Sequence, residues 1–160
     1  MQLRGAILIT CPAKRVLNAL HSPEVLASLV PGECEMVQTS ATEYPFTIRR
    51  KFGPVALTLP GTLTITPQTE DTYVFALKAA HFLGGKIEMT MTIGVVAAQG
   101  VSRLGYEAEL EASGLAGRIL DDRSDQIEAG IEARLNRLKK RLEKGDKRSA
   151  TAKMKADARA

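Results

Sequence analysis

Two alternating segments joined by a short turn decide the fold: residues 86–112 read KIEMTMTIGVVAAQGVSRLGYEAELEA. Apolar and polar side chains alternate most regularly through Ile87–Ile93 and again through Leu104–Glu111. Gln99-Gly100 between them marks a turn. Because a period of two sends successive side chains to opposite faces, the stretch predicts two antiparallel strands with one apolar face and one face in water.

The same pattern continues on both sides of this pair. The spacing predicts a first strand over residues 3–10 and further strands over 34–40, 44–51, 55–66, 72–79, 86–97 and 101–112. After Gly114 the apolar residues recur at helical spacing and predict one long amphipathic helix, from Leu115 to about residue 143, that Gly145 ends. This order predicts an α+β fold in which a curved antiparallel sheet surrounds a long C-terminal helix and leaves an apolar cavity between them.

Two short helices precede the second strand. Pro12 opens the first, over residues 13–20, and Ser22 is the expected N-cap of the second, with Pro23 at its first position. Since a residue before proline is pushed out of the helical region, the second helix should end at Val30, before the Pro31-Gly32 corner.

The triplet Glu33-Cys34-Glu35 follows that corner and suggests a reactive or metal-binding site. In a strand the two glutamates share one face and Cys34 points to the other, so they cannot act together. A nucleophilic cysteine also needs a base and a lowered pKa, and the spacing commits neither His21 nor His81 to that role. We therefore interpret Cys34 as a small buried apolar residue and predict no metal site and no catalytic residue here.

Composition indicates a single ordinary domain. Of 160 residues, 44% are hydrophobic but only 4% are aromatic, so any cavity must be lined mainly by aliphatic side chains. Two cysteines do not form a disulfide framework, and the apolar run Gly5–Cys11 is too short to span a membrane and precedes no cleavage signature. These features favour a cytoplasmic protein with reduced thiols and no cofactor.

The charge is distributed unevenly along the chain. Residues 134–160 carry eleven basic and three acidic side chains, whereas residues 1–133 carry eleven basic and fifteen acidic ones. We expect a domain over residues 1–144 and a basic, disordered tail over 145–160 that contacts an anionic membrane or an acidic partner, or only solubilises the protein. Without interleaved aromatic residues or a known motif, nucleic acid is not expected. The contact residues would be Lys139, Lys140, Arg141, Lys147, Arg148, Lys153 and Lys155.

Three loops are predicted to lie at one end of the sheet, because alternate turns of an antiparallel meander share an end. They are Gly53-Pro54, His81–Gly85 and Ala112–Leu115. This end is the expected mouth of the cavity, with the glycine-rich loop either a mobile gate or an ordinary hairpin turn. The portal residues are Gly53, His81, Phe82, Leu83, Gly84, Gly85 and Leu115.

Four features together resemble the CoxG family of carbon monoxide dehydrogenase subunits, which belongs to the START/Bet v 1-like (SRPBCC) helix-grip superfamily, over about residues 1–144. They are the first strand with Gly5, the phrase SPEVLASLVPGECE (residues 22–35), the hairpin glycines and ASGLAGRIL (residues 112–120) before the last helix. The family phrase is Asp-Pro-Glu…Ile-Pro-Gly-Cys-Glu; here Ser22 replaces the Asp and Glu33 precedes Cys34. The resemblance implies a β-α-α-β6-α helix-grip fold.

The resemblance also implies a function. Members of the family are accessory factors that attach a molybdenum hydroxylase, such as carbon monoxide dehydrogenase, to the membrane and connect it to the quinone pool. We therefore expect a non-enzymatic protein that holds a lipid or quinone, with Tyr106 hydrogen-bonding one polar ligand group. The expected cavity residues are Leu57, Leu59, Phe75, Leu77, Met89, Met91, Leu104, Tyr106, Ile119 and Ile127.

Two alternatives remain open. The same cavity could serve a cyclase- or aromatase-like enzyme, which needs convergent polar groups, and only Tyr106, His81 and Arg50 are available for that. The chain could also be a generic START-like lipid-binding protein, or an interaction module that docks through its basic tail.

Overall fold

The computed structural model describes residues 1–30, 33–52, 54–81 and 85–159. Its description leaves out the side chains of Arg50, Phe52, Val55, Leu57, Ile119, Leu120 and residues 146–159. The elements in chain order are β1 (Gln2–Ile9), α1 (Ala13–Ala19), α2 (Pro23–Leu29), β2 (Glu33–Met36), β3 (Glu43–Phe52), β4 (Val55–Pro67), β5 (Thr72–His81), β6 (Gly85–Ala98), β7 (Val101–Ala112), α3 (Gly114–Asp122) and α4 (Ser124–Arg159).

The described strands form one antiparallel sheet in the order β1-β7-β6-β5-β4-β3-β2. Each strand from β2 to β7 pairs with the next in the chain, and β1 closes the sheet by pairing with β7. The predicted curved sheet and its strand order are therefore confirmed. The second strand is shorter than predicted: it ends at Met36 because the Ser40 hydroxyl accepts hydrogen bonds from Thr42 N and Glu43 N and turns the chain towards β3.

The short helices form as predicted. Ser22 caps α2, its hydroxyl accepting a hydrogen bond from Val25 N at 3.5 Å, and Pro23 occupies the first position. Val30 is in the extended region (ψ 137°), as expected for a residue before proline. Pro31 and Gly32 lie outside the described residues.

The prediction of one C-terminal helix that ends at Gly145 is wrong in two respects. The chain breaks at Arg123 into α3 and α4. Between Leu120 and Ile127 it carries polar side chains only, so no apolar stripe holds the helix to the sheet there.

The second difference lies at Gly145, where the backbone remains helical and continues to Arg159. A side chain at position 145 would collide with the guanidinium of Arg15, which lies directly on the glycine. Gly145 is therefore a point of close approach between α1 and α4 and not a left-handed cap, and the segment predicted to be a disordered tail has a helical backbone.

Candidate functional site

The predicted cavity residues of the sheet belong to one face. The register aligns side chains of β4 to β7 in rows that cross the sheet. One row is Leu63, Leu77, Met89 and Leu110, and the next is Ile65, Phe75, Met91 and Ala108. Leu59 and Leu104 occupy the same face at other rows, and both are buried.

Burial on this face changes along each strand. On β6, Val95 and Ile93 are 1% and 6% exposed, whereas Met91, Met89 and Ile87 are half-buried. On β7 the order is similar, from Leu104 at 0% to a half-buried Leu110. The face is therefore sealed at one end and partly open at the other.

We call these the packed end and the open end. The packed end comprises the end of β1, helices α1 and α2, the β6–β7 turn and the part of α4 around Leu138 and Leu142. The open end comprises the β5–β6 hairpin, the end of β7, α3 and the start of α4. Ile127 and Ile131, on the α4 segment nearest the open end, are only half-buried.

The half-buried apolar side chains of the open end form the candidate ligand site. Three were predicted from the sequence on the sheet, Leu77, Met89 and Met91, and Ile127 is the fourth, on α4. Ile87 and Leu110 belong to the same rows and were missed from the predicted set, although the alternation that found Met89 also includes them. The side chains of Leu57 and Ile119 lie outside the description, so their place in the site stays a prediction.

Tyr106 supplies a polar group beside this surface. Its ring lies over Gly5 on the neighbouring strand, where a Cβ atom would be 2.6 Å from the Tyr106 hydroxyl oxygen. Burial, and then the carboxylates of Glu132 and Glu128 on α4, raise the pKa of the Tyr106 hydroxyl above its usual value. Among the described residues this hydroxyl has no hydrogen-bond partner, so it keeps its proton at neutral pH and can donate it to a ligand.

The loops predicted to share one end do so. Gly85 adopts a left-handed conformation (φ 85°), and its Cα approaches the Ser113 carbonyl so closely that no side chain fits between them. Ser113 N also donates a hydrogen bond to Lys86 O at 2.9 Å. The hairpin and the junction between β7 and α3 are thus joined, with Leu115 38% exposed beside them.

The portal itself stays a prediction. Gly53, Phe82, Leu83 and Gly84 lie outside the described residues, and His81 is half-buried at the end of β5.

The arrangement does not support a cyclase-like active site. His81 pairs with Gly85, and Tyr106 pairs with Ile93, so eight residues of β6 separate the two polar groups. That spacing is about 26 Å along the strand. They do not converge on one pocket, and the side chain of Arg50 is outside the description.

Cys34 has the environment of an unreactive thiol. Glu33 and Glu35 are exposed while Cys34 is half-buried, which confirms that they face opposite ways. Burial, and then the Glu35 carboxylate, raise the pKa of the Cys34 thiol and so reduce its thiolate fraction. Within the described residues no group of His, Cys, Asp or Glu is arranged to hold a metal ion.

The residues predicted for membrane or partner contact divide into two kinds. Lys140 and Arg141 are exposed, but Lys139 is occupied: its ammonium donates to Leu8 O at 2.7 Å and pairs with Glu143 at 3.1 Å. Lys139 therefore fastens α4 to the edge of β1, so the structure removes it from the contact set. The side chains of Lys147, Arg148, Lys153 and Lys155 lie outside the description.

None of the described helices combines the length and the apolar character that crossing a bilayer requires. Contact with a membrane through the exposed basic side chains of α4 is therefore considered below as a surface interaction.

Solved structures of low sequence identity share this fold. A conserved protein from Geobacillus kaustophilus aligns with a TM-score of 0.69 at 14% identity, over 88% of this chain and 96% of that chain. A STAR-related lipid transfer protein (fragment 25–204) from Xanthomonas axonopodis gives 0.59 at 12% identity, over 86% and 84%. Ara h 8.0201, a Bet v 1-type protein, gives 0.51 at 16% identity, over 83% and 95%. The likeness shows the helix-grip fold of the START/Bet v 1-like (SRPBCC) superfamily.

Sequence comparison places the chain more narrowly. No curated protein matches it. The family model for CoxG, a carbon monoxide dehydrogenase subunit, matches residues 5–143, which include the opening strand, the Pro-Gly phrase and most of α4. Since this match spans most of the chain, the protein belongs to the CoxG family of carbon monoxide dehydrogenase subunits.

Proposed function

We propose that this protein is a non-enzymatic carrier that holds one lipid or quinone molecule between the sheet and α4 and assists a molybdenum hydroxylase such as carbon monoxide dehydrogenase. The observation that carries the proposal is the change in burial along the inner face of the sheet. Leu77, Met89 and Leu110 form an aliphatic row that stays half-buried although it faces the helices. A ligand in this place would bury the row completely, each buried methylene contributing about 0.8 kcal/mol.

The chemistry of the surface supports an aliphatic ligand with one polar group. Met89 and Met91 have flexible, polarisable side chains that adapt to an irregular apolar shape. The Tyr106 hydroxyl is a single donor whose proton is retained because the pKa is raised. A quinone carbonyl or a lipid ester oxygen is an acceptor that this hydroxyl could bind.

The accessory role rests on family membership, and the charge of α4 gives it an orientation. Arg141 follows Ile127 by fourteen residues, about 21 Å along the helix, so the exposed basic residues lie at the packed end. If this basic end rests on the inner face of the cell membrane as a peripheral contact, the open end faces away from the lipid. The partner enzyme would then receive the ligand through the portal loops.

Extraction of the purified protein with organic solvent tests the ligand. We expect mass spectrometry of the extract to show a lipid or quinone, and the stripped protein to bind added quinone. The absence of both would overturn the proposal.

A pair of variants on β6 locates the binding. Met89→Arg puts a charge on the inner face at the candidate site, whereas Val96→Arg puts the same charge on the outer face, where Val96 is 56% exposed. We expect the Met89→Arg protein to lose the bound molecule and the Val96→Arg protein to keep it. Equal retention in both would place the ligand somewhere else.

A further inference from the structure

We propose that a second binding site lies at the packed end, in a cleft between α1, α2 and α4, and that it takes a phosphate-bearing amphiphile. The cleft has a volume of about 550 Å³. Its lining includes the basic side chains of Arg15, Arg141 and Lys144, the amide of Asn18 and the apolar side chains of Val25 and Leu142. It lies on the far side of the molecule from the candidate quinone or lipid site and does not depend on it.

The cleft is formed by a close approach of two helices. Arg15 on α1 extends across to α4, where its guanidinium lies on Gly145 in the space that any other side chain would fill. The glycine thus lets a cation from one helix stand beside Arg141 and Lys144 of the other. The last two are three residues apart on α4, so they share one face of the helix.

The charge at the cleft is of one sign among the described residues. Three cations line it, and no described acidic side chain does. Glu143, the nearest acid of α4 in sequence, is turned to the opposite side, where it accepts a hydrogen bond from Thr10 N at 3.0 Å and pairs with Lys139. Cations held close together repel one another, so an anion between them is favoured.

Both the charge and the shape of the cleft favour phosphate over other anions. A phosphate group carries up to two negative charges and offers several acceptor oxygens, which suits an arginine fork beside an ammonium. The apolar part of the ligand has a place as well, because Val25 and Leu142, each 7% exposed, lie between the cations. The volume is that of a small-molecule pocket and exceeds what a free phosphate needs.

Calorimetric titration of the full chain tests this site with three probes. They are inorganic phosphate, dihexanoyl phosphatidate and dihexanoyl phosphatidylcholine, the lipids being used below their micelle-forming concentration. We expect phosphatidate to bind, phosphatidylcholine to bind at least tenfold more weakly, and phosphate to compete with phosphatidate. Tighter binding of phosphatidate than of phosphate supports a lipid headgroup as the ligand, and equal binding supports free phosphate at the same cations.

Two double variants with the same charge change separate the cleft from the general basic surface. Arg141→Gln with Lys144→Gln removes two cations from the cleft. Arg137→Gln with Lys140→Gln removes two exposed cations, also three residues apart on α4, that do not line it. We expect the first pair to weaken phosphatidate binding by about tenfold or more and the second by less than about twofold, because direct charge-assisted hydrogen bonds are lost only in the first.

Three results would overturn the proposal. The first is no binding of phosphate or phosphatidate to the unmodified chain. The second is an equal loss in the two double variants, which would indicate a diffuse electrostatic surface. The third is retention of the protein by phosphatidate vesicles without binding of the short-chain lipid, which would indicate surface docking and not occupation of the cleft.

Discussion

The packed end and the open end share one sheet, one face and one kind of residue, yet they are closed to different degrees. At the packed end, Ile9, Val16 and Leu104 are fully buried beneath the helices. At the open end, Leu77 and Met89 have similar apolar side chains but remain half-buried. The difference lies in what covers the sheet, since the strands themselves continue through both ends without interruption.

Polar contacts reinforce the packed end. The Ser102 hydroxyl, itself fully buried, donates to Cys11 O at 2.6 Å and ties β7 to the start of α1. The Tyr44 hydroxyl donates to His21 O at 3.1 Å and ties β3 to the turn between the short helices. His21 is in turn held by an edge contact with the Tyr73 ring, 4.7 Å between centroids.

The contrast suggests how a small helix-grip protein divides its stability. Regions with few buried apolar contacts open at lower free energy than the core, and ligand sites are drawn from them. Concentrating the packing at one end leaves the other end able to admit a ligand without unfolding the sheet. Substitutions of the same type at the two ends should therefore differ in cost, and the predictions below compare them.

The largest difference is expected between Leu104→Ala and Leu77→Ala. The first empties a site that is 0% exposed and should lower the free energy of unfolding by about 2–5 kcal/mol. The second removes a half-buried side chain and should lower it by only about 1–2 kcal/mol. Urea denaturation of the ligand-free proteins, followed by circular dichroism, measures both values. Equal losses would mean that the two ends are equally packed.

How far the sequence predicts this division can be judged residue by residue. Alternation on β6 and β7 predicted which residues face inward, because the period of two fixes the face of each side chain, and the register confirms it. It could not predict that Leu104 is sealed and Leu110 is half-buried, because that depends on where α1 and α4 lie over the sheet.

Positions of close contact between helices were likewise beyond the sequence. Gly145 was predicted to end a helix because glycine is common there, but its role depends on Arg15, which is distant in sequence. The pair Lys139–Glu143 has the spacing of an ordinary surface pair, and only the fold brings the end of β1 against it. Local pattern predicted the elements, and tertiary contacts decided the function of individual side chains.

A smaller effect is expected from alanine at two turn glycines, one at each end. Gly85 and Gly100 both have positive φ, 85° and 82°, so alanine strains either backbone by about 1–2 kcal/mol. Only at Gly85 does a Cβ atom also meet another backbone, that of Ser113; at Gly100 nothing lies within 4 Å. We expect Gly85→Ala to cost about 1–3 kcal/mol more than Gly100→Ala in the same denaturation experiment.

The Gly85 comparison also tests the contact between the hairpin and the junction before α3. If that contact shapes the open end, Gly85→Ala should change the affinity for added quinone and Gly100→Ala should not. Equal losses of stability in the two variants would show that the hairpin moves away from Ser113 at little cost, and that the open end is looser than its described contacts indicate.

The smallest effect is expected at the ion pair that fastens α4 to β1 at the packed end. The hydrogen bond from Thr10 N, followed by that from Lys139, lowers the pKa of the Glu143 carboxyl below its ordinary value of 4.5. Because the folded-state pKa is lowered, the charged carboxylate stabilises the protein above the unfolded-state pKa, and this contribution is lost as the pH falls through the folded-state pKa. Glu143→Gln should therefore lower Tm at pH 7 and make progressively less difference below about pH 4.5.

Glu107→Gln is the matched control for this pH dependence. It removes a carboxylate that pairs with Arg4 at 3.2 Å, but the two side chains are 68% and 81% exposed, and such pairs contribute little. We expect its Tm at pH 7 to stay close to that of the unmodified protein. Hydrogen exchange adds a local measurement, since the Thr10 amide should exchange faster in Glu143→Gln than in Glu107→Gln. If neither Tm nor this exchange rate distinguishes the two variants, α4 is held at the packed end by Leu138 and Leu142 alone, and the polar fastening of β1 contributes no measurable stability.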